Sequence, residues 1–155
     1  MVNKPIFVKS KIKDVKFGLN VKVIEPVNLY ECEIGDNTFV GPFVEIQRNV
    51  RIGRNCKIQS HSFICELVTI GDNTFISHGV VFINDKFHNG RPAQGDKELW
   101  KSTNIGKNVS IGSNATILPV SIIDNVVIGA GSVVTKNITE SGTYMGNPAK
   151  KIKDI

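Results

Sequence analysis

Of the three histidines, His61, His78 and His88, the residue type whose ordinary pKa lies closest to neutrality, His78 is the candidate general base, while His88 is suited to solvent. The three stand 17 and 10 residues apart, a spacing that forms no metal-ligand pattern. The three cysteines, Cys32, Cys56 and Cys65, form none either and read as reduced, small apolar filling in a cytoplasmic protein. Asn84 and Asp85 are adjacent. The amide would hold an amine or a developing oxyanion, and the carboxylate would orient the amide or attract a cation. The pair is also suited simply to turning the chain. Glu45, Gln47, Gln59 and His61 offer further polar groups for a polyhydroxylated ligand, or serve as solvated positions. Lys136, Lys150 and Lys151 would pair with phosphates as compact point charges. The net charge is +5, but the basic residues are dispersed apart from the C-terminal lysines. That points to small anions rather than to nucleic acid.

These side chains need a scaffold, and the scaffold is a repeat. From residue 34 the chain divides into consecutive sixes: IGDNTF, VGPFVE, IQRNVR, IGRNCK, IQSHSF, ICELVT, IGDNTF, ISHGVV. First positions are Ile34, Val40, Ile46, Ile52, Ile58, Ile64, Ile70, Ile76 and then Phe82, all apolar. Fifth positions are Thr38, Val44, Val50, Cys56, Ser62, Val68, Thr74 and Val80, all small or β-branched. A period of six suits a short strand followed by a corner. Three such units close one triangular coil, and coils stack as parallel strands about 4.7–4.9 Å apart. First positions point inward, and Gly and Asn supply the backbone angles of the corners. Weaker units begin at Phe17 and Val23. The fold expected is all-β, a solenoid with repeat coils over about 17–83 and 105–139 in a single domain spanning 1–155.

The repeat breaks over residues 84–104, resumes at Ile105, loses one residue in ILPVS, and ends in a segment, 140–155, that caps the solenoid. An insertion of about 20 residues in a compact domain is usually functional or disordered, and Phe87, Pro92, Leu99 and Trp100 argue against disorder. Pro148 suits the first turn of a short terminal helix. No apolar stretch reaches the roughly 18–20 residues of a membrane helix. The opening MVNKPIFVKSKIKD lacks the apolar segment of a secretory signal.

The [LIV]-G-x-x-[STAV]-x units resemble the hexapeptide-repeat acyltransferase superfamily, which implies a left-handed parallel β-helix, usually a homotrimer with sites between subunits. The segments VGPFVEIQ, KIQSHSFIC, HGVVFIND, ATILP, VIGAGSVVTK and GNPAKKIK, in that order, are similar to the nucleotide-sugar N-acetyltransferases of bacterial surface polysaccharides. That resemblance implies an acetyl-CoA co-substrate, no metal, and an acceptor amine at carbon 3 of a UDP- or dTDP-linked sugar. It places Asn84 and His78 at the chemistry, with Asp85, Glu45, Gln59 and His61 toward the sugar. Gly112, Ala115, Ala130, Ser132, Lys136, Lys150 and Lys151 would lie along the coenzyme, and the loop would wall the neighbouring subunit's site. O-acetyl transfer to a sugar or serine is the alternative, and a γ-type carbonic anhydrase a more distant one.

Overall fold

The computed structural model describes residues 11–155, so the opening segment lies for the most part outside the described residues. The chain winds into a left-handed parallel β-helix of triangular section with three sheets. The first face stacks Ile12–Lys13, Asn28–Tyr30, Glu45–Ile46, Phe63–Ile64, Val81–Phe82, Thr116–Ile117 and Val133–Val134. The second stacks Lys16–Phe17, Glu33–Ile34, Arg51–Ile52, Val68–Ile70, Thr103–Ile105 and Ser121–Ile122. The third stacks Lys22–Val23, Phe39–Val40, Lys57–Ile58, Phe75–Ile76, Ser110–Ile111, Val126–Ile128 and Gly142–Met145. Regular winding thus begins ahead of the expected Phe17.

The register shows why the repeat is needed. Ile46 pairs with Ile64, Ile52 with Ile70, and Ile58 with Ile76, so each inward aliphatic lies on its equivalent one coil away. Every first position from Ile34 to Phe82 is buried, and so is every fifth position from Thr38 to Val80. Buried parallel strands favour such β-branched residues on their inner side. Buried hydroxyls find carbonyl partners along the column: Thr38 donates to the Gly53 carbonyl at 2.9 Å, and Ser62 to that of Ser77 at 3.0 Å. Corners are left-handed at the fourth position, where Asn37, Asn49, Asn55, Asn73, Asn108 and Asn114 have φ of 54–61°. Asn tolerates that backbone better than most residues. The short unit ILPVS makes a corner with no left-handed residue between Asn114 and Asn125. Its coil pairs Thr116 with Val133, a spacing of 17.

The insertion sits at the corner from the first to the second face. Strand partners are 18 apart below it, as in Phe63 with Val81, and 35 apart across it, as in Val81 with Thr116. The C-terminal cap differs from the expected helix. Gly142–Met145 adds a parallel strand to the third face, and Lys150–Lys153 returns antiparallel on it. The last coil otherwise presents an edge of unpaired backbone groups, and a hairpin satisfies them where a short helix would not.

Ile58 and Ile70 are 0% and 2% exposed. Replacing either with Asp buries a charge without a partner, at a cost of several kcal/mol in a domain whose whole stability is typically about 5–15 kcal/mol. The expected result is loss of cooperative thermal unfolding by circular dichroism. A soluble variant with an unchanged Tm would contradict the inward assignment. Burial pushes the thiols of Cys32 and Cys65 up to about 11 and about 12, and raises that of Cys56. At pH 8 a thiol reagent should therefore label the three slowly in the native protein and rapidly in denaturant.

Candidate active site

The two ends of the strand Val81–Phe82 carry different groups. At its start, on the corner from the third face, the His78 ring extends from the third position of its unit. Its Nδ1 lies 2.8 Å from Oγ of Ser60, one coil below. His61 occupies the left-handed fourth position of the preceding coil, with φ 63°, and its ring stacks on Phe43 at 4.9 Å. His61 and His78 therefore share a corner.

Asn84 and Asp85 are at the other end of the strand, where the loop leaves. Asn84 Nδ2 donates to the Glu66 carbonyl at 3.3 Å, and the Asn84 carbonyl accepts from the Lys101 amide at 3.0 Å as the loop returns. The Asp85 carboxylate takes the backbone N–H groups of Phe87 at 2.9 Å and Ala93 at 2.8 Å. Both its oxygens fold the loop, the turn-forming role that its residue type allows. His78 and Asn84 thus lie at opposite ends of one strand, and the cavity beside Asn84 is not lined by His78 of the same protomer. His88 lies in the loop, against a cavity of about 490 Å³ lined by Lys86, Phe87, His88, Leu99 and Lys101. Among the described residues no three His, Cys, Asp or Glu side chains converge as a metal site.

The residue that organises this end is Glu66, which sequence reasoning did not single out. It is 8% exposed. Its carboxylate accepts from Lys97 Nζ of the loop at 3.0 Å and lies 3.4 Å from Arg48 Nε, while its amide donates to Gln47 Oε1 at 3.3 Å. Gln47 Nε2 in turn donates to Glu45 at 2.9 Å. Lys97 also stands over the Trp100 ring, 5.5 Å from its centroid. Glu31, Arg48 and Glu66 sit one coil apart, so opposite charges at a spacing of 17–18 were the available signal. A cavity of about 420 Å³ opens beside this cluster between the first face and the loop, with Tyr30, Gln47, Phe63, Glu66, Asn84 and Trp100 among its walls. Burial raises the Tyr30 hydroxyl, and the Glu45 and Glu66 carboxylates add to the effect.

The other predicted residues are scattered. Gln59 is half-buried in the corner below Ser77, and Glu45 is on the outer side of the first face. Gly112 packs so closely that a Cβ there would meet the Ala130 amide, and Ala130 itself is exposed. Ala115 and Ser132 are fully buried, and Ser132 Oγ accepts from the Gly146 amide at 3.1 Å. Their side chains face the core, away from any ligand on the outer surface. Lys136 and Lys150 are exposed. Lys151 is held by Asp154 at 2.7 Å and Glu140 at 3.2 Å, and these partners raise its pKa.

Known proteins share both the repeat and the winding. The bacterial transferase hexapeptide (six repeats) matches residues 31–66, and the hexapeptide repeat of succinyl-transferase matches residues 103–136. The bifunctional protein GlmU of Clostridium botulinum is 33% identical over 144 residues, which cover 87% of this chain and 31% of that protein. The chain thus spans about a third of such relatives. Galactoside O-acetyltransferase of Escherichia coli K12 is 37% identical over 129 residues, 79% of this chain and 63% of that protein. Among solved structures, AntD, an N-acyltransferase from Bacillus cereus in complex with dTDP and coenzyme A, superposes with a TM-score of 0.78. It is 25% identical, with 90% of this chain and 83% of that one covered.

Removing the Glu66 charge leaves Lys97 without its carboxylate and the half-buried Arg48 with Glu31 alone, at 3.8 Å. In Glu66→Gln, trypsin should cleave the loop after Lys86 and Lys97 several-fold faster than in the wild type, with stability lowered by about 1–3 kcal/mol. Equal cleavage rates would show that Lys97 does not latch the loop.

Proposed function

Because the chain belongs to the hexapeptide-repeat acyltransferase superfamily, we propose that it transfers an acetyl group from acetyl-CoA to the amine of a nucleotide-linked amino sugar. The observation that carries this reading is the similarity to AntD over most of both chains, one structure of which holds dTDP-4-amino-4,6-dideoxyglucose and coenzyme A. The amine would stand at carbon 3 or carbon 4 of the sugar ring. The expected setting is cytoplasmic surface-polysaccharide synthesis, where nucleotide sugars are built.

The chemistry follows from Asn84. Its Nδ2 is engaged by the Glu66 carbonyl, which turns Oδ1 to accept from a substrate N–H. An amine held in this way keeps its lone pair for the thioester carbonyl. Attack forms the C–N bond and a tetrahedral oxyanion. Collapse breaks the C–S bond, and the nitrogen's surplus proton passes to a base or to the departing thiolate. Holding the reacting atoms in line is worth several orders of magnitude in rate. The coenzyme would lie along the later coils, past Gly112 and Ala130, with Lys136 and Lys150 free to meet its phosphates. Ala115 and Ser132 would shape that surface only from within.

We further propose a homotrimer whose clefts join the Asn84 corner of one copy to the His78 corner of the next. This supplies a base that one protomer does not place near Asn84. A closed cyclic assembly gives three equal clefts. The second reading, O-acetyl transfer to a sugar hydroxyl, is favoured by the 37% identity to galactoside O-acetyltransferase.

Acetyl-CoA consumption against a panel of UDP- and dTDP-linked 3-amino and 4-amino sugars and neutral glycosides separates the two readings. The amino sugars should turn over, and turnover of glycosides alone would favour the second. Asn84→Ala should lower kcat/KM on the order of 10²-fold without changing the trimer seen by light scattering. Co-expressed Asn84→Ala and His78→Ala chains should regain activity that neither has alone, since some clefts then hold both intact residues. Absence of regain would argue against a shared cleft, and a monomer by light scattering would exclude it.

A further inference from the structure

We infer that Phe43, backed by His61, is the stacking floor for the pyrimidine base of the nucleotide-linked substrate; this rests on the nucleotide-sugar reading above. The corner itself makes Phe43 conspicuous. Asn fills eight left-handed corners among the described residues, because a bulky side chain there costs roughly 1–2 kcal/mol. Phe43, with φ 60°, and His61, with φ 63°, break that rule in successive coils. Of the three other corner residues that are neither Asn nor Gly, Asp14 is a short polar residue suited to this backbone, and the other two have structural reasons. Glu31 faces Arg48, and the Leu67 side chain is partly buried where the loop returns to its carbonyl. The Phe43 side chain serves no comparable purpose within the chain. It is 57% exposed, and its ring is stacked on His61 at 25° between planes. Backbone strain kept for an exposed ring points to a ligand.

The surroundings say which ligand. A cleft of about 310 Å³ lies against Phe43, walled by Pro26, Val27, Asn28, Val44 and Glu45. That is the low end of ligand-pocket volumes, room for one ring. Asn28 and Glu45 are direct partners on adjacent strands and both face outward. Side by side they offer an amide donor and a carboxylate acceptor, the complement of a pyrimidine edge that carries a carbonyl or ring nitrogen beside an N–H. Gln47 holds the carboxylate in place at 2.9 Å. The same hydrogen-bonded line continues through Glu66 to Asn84. Asn84 is two coils up and three residues across from Glu45, on the order of 14 Å by strand spacing and rise. A diphosphate and one sugar ring bridge such a gap, so a base on Phe43 lets the amine reach Asn84.

The test is isothermal titration of the full chain with dTDP and UDP, with ADP as the purine control. Phe43→Asn installs the residue this corner prefers, so its Tm should equal or exceed that of the wild type. Base–aromatic stacking lost in this way should weaken dTDP binding about 5–150-fold, while Phe43→Tyr should bind as the wild type does. Unchanged dTDP binding by Phe43→Asn overturns the inference, as does equal weakening of ADP, which would move the floor to the coenzyme's adenine. In either case turnover of amino sugars by the wild type keeps the proposed reaction intact. A wild type that neither binds pyrimidine nucleotides nor acetylates any nucleotide-linked sugar overturns both.

Discussion

Each coil must close in 17 or 18 residues so that like positions lie on one another. This single constraint governs the rest. A strand of two or three residues buries one aliphatic side chain and gains little alone. Stacked in register, the same side chain becomes one link in an unbroken column of Ile and Val, and every backbone amide on the strand finds a carbonyl one coil away. The unit of stability is therefore the contact between coils, as in other solenoids. Most corners ask one residue to adopt a left-handed backbone, and the short unit ILPVS turns without one.

The same constraint decides where variation is allowed. An extra residue within a strand would invert its inner and outer sides, so insertions are confined to corners. The loop is the one large example: it leaves after Phe82 and rejoins at Thr103, with no change of register in the strands above it. Third positions of each unit are likewise free to change because they face outward, and fourth positions as far as the left-handed backbone permits. Every group implicated in chemistry here lies at such a position or on an outer strand face: His61, His78, Asn84, Glu66 and Glu45.

How far this is legible in the sequence depends on whether a feature repeats. The inward Ile and Val, the small fifth positions and the loop at 84–104 are readable, since each is a departure from or an instance of the period. The handedness is not, because a period of six is indifferent to it and only family resemblance supplies it. The C-terminal hairpin escapes notice because Pro148 speaks for a helix start locally, whereas the open edge of the last coil is a tertiary demand. Glu66 escapes notice when the residues are taken in chain order. Its partners Arg48, one coil below, and Lys97, in the loop, are neighbours only once the coils are stacked. Ala115 and Ser132 suggest ligand contacts by their small size, yet that size is what the inner corner requires of any fifth position. A small side chain is ambiguous between the two sides of the wall.

The three outer faces also differ in a way that bears on the site. The second face carries Lys16, Glu33 and Arg51 in a ladder, with Lys16 2.8 Å from Glu33 and Arg51 at 3.8 Å. The Lys16 ammonium holds the Glu33 carboxyl below its ordinary range. Such a face is at ease in water, where exposed pairs of this kind contribute little to stability. The first face instead presents Phe63, Val81, Ile83 and Leu118 outward, with Val81 37% exposed. Phe63 and Leu118 pack in part against the core, but the outer area of these side chains, that of Val81 above all, is left uncovered by the fold of one chain. They gain from whatever lies over them, and the polar line from Glu45 to Asn84 crosses the same face. A surface that combines exposed apolar area with one ordered strip of hydrogen-bonding groups is suited to a bound partner or ligand rather than to bare solvent.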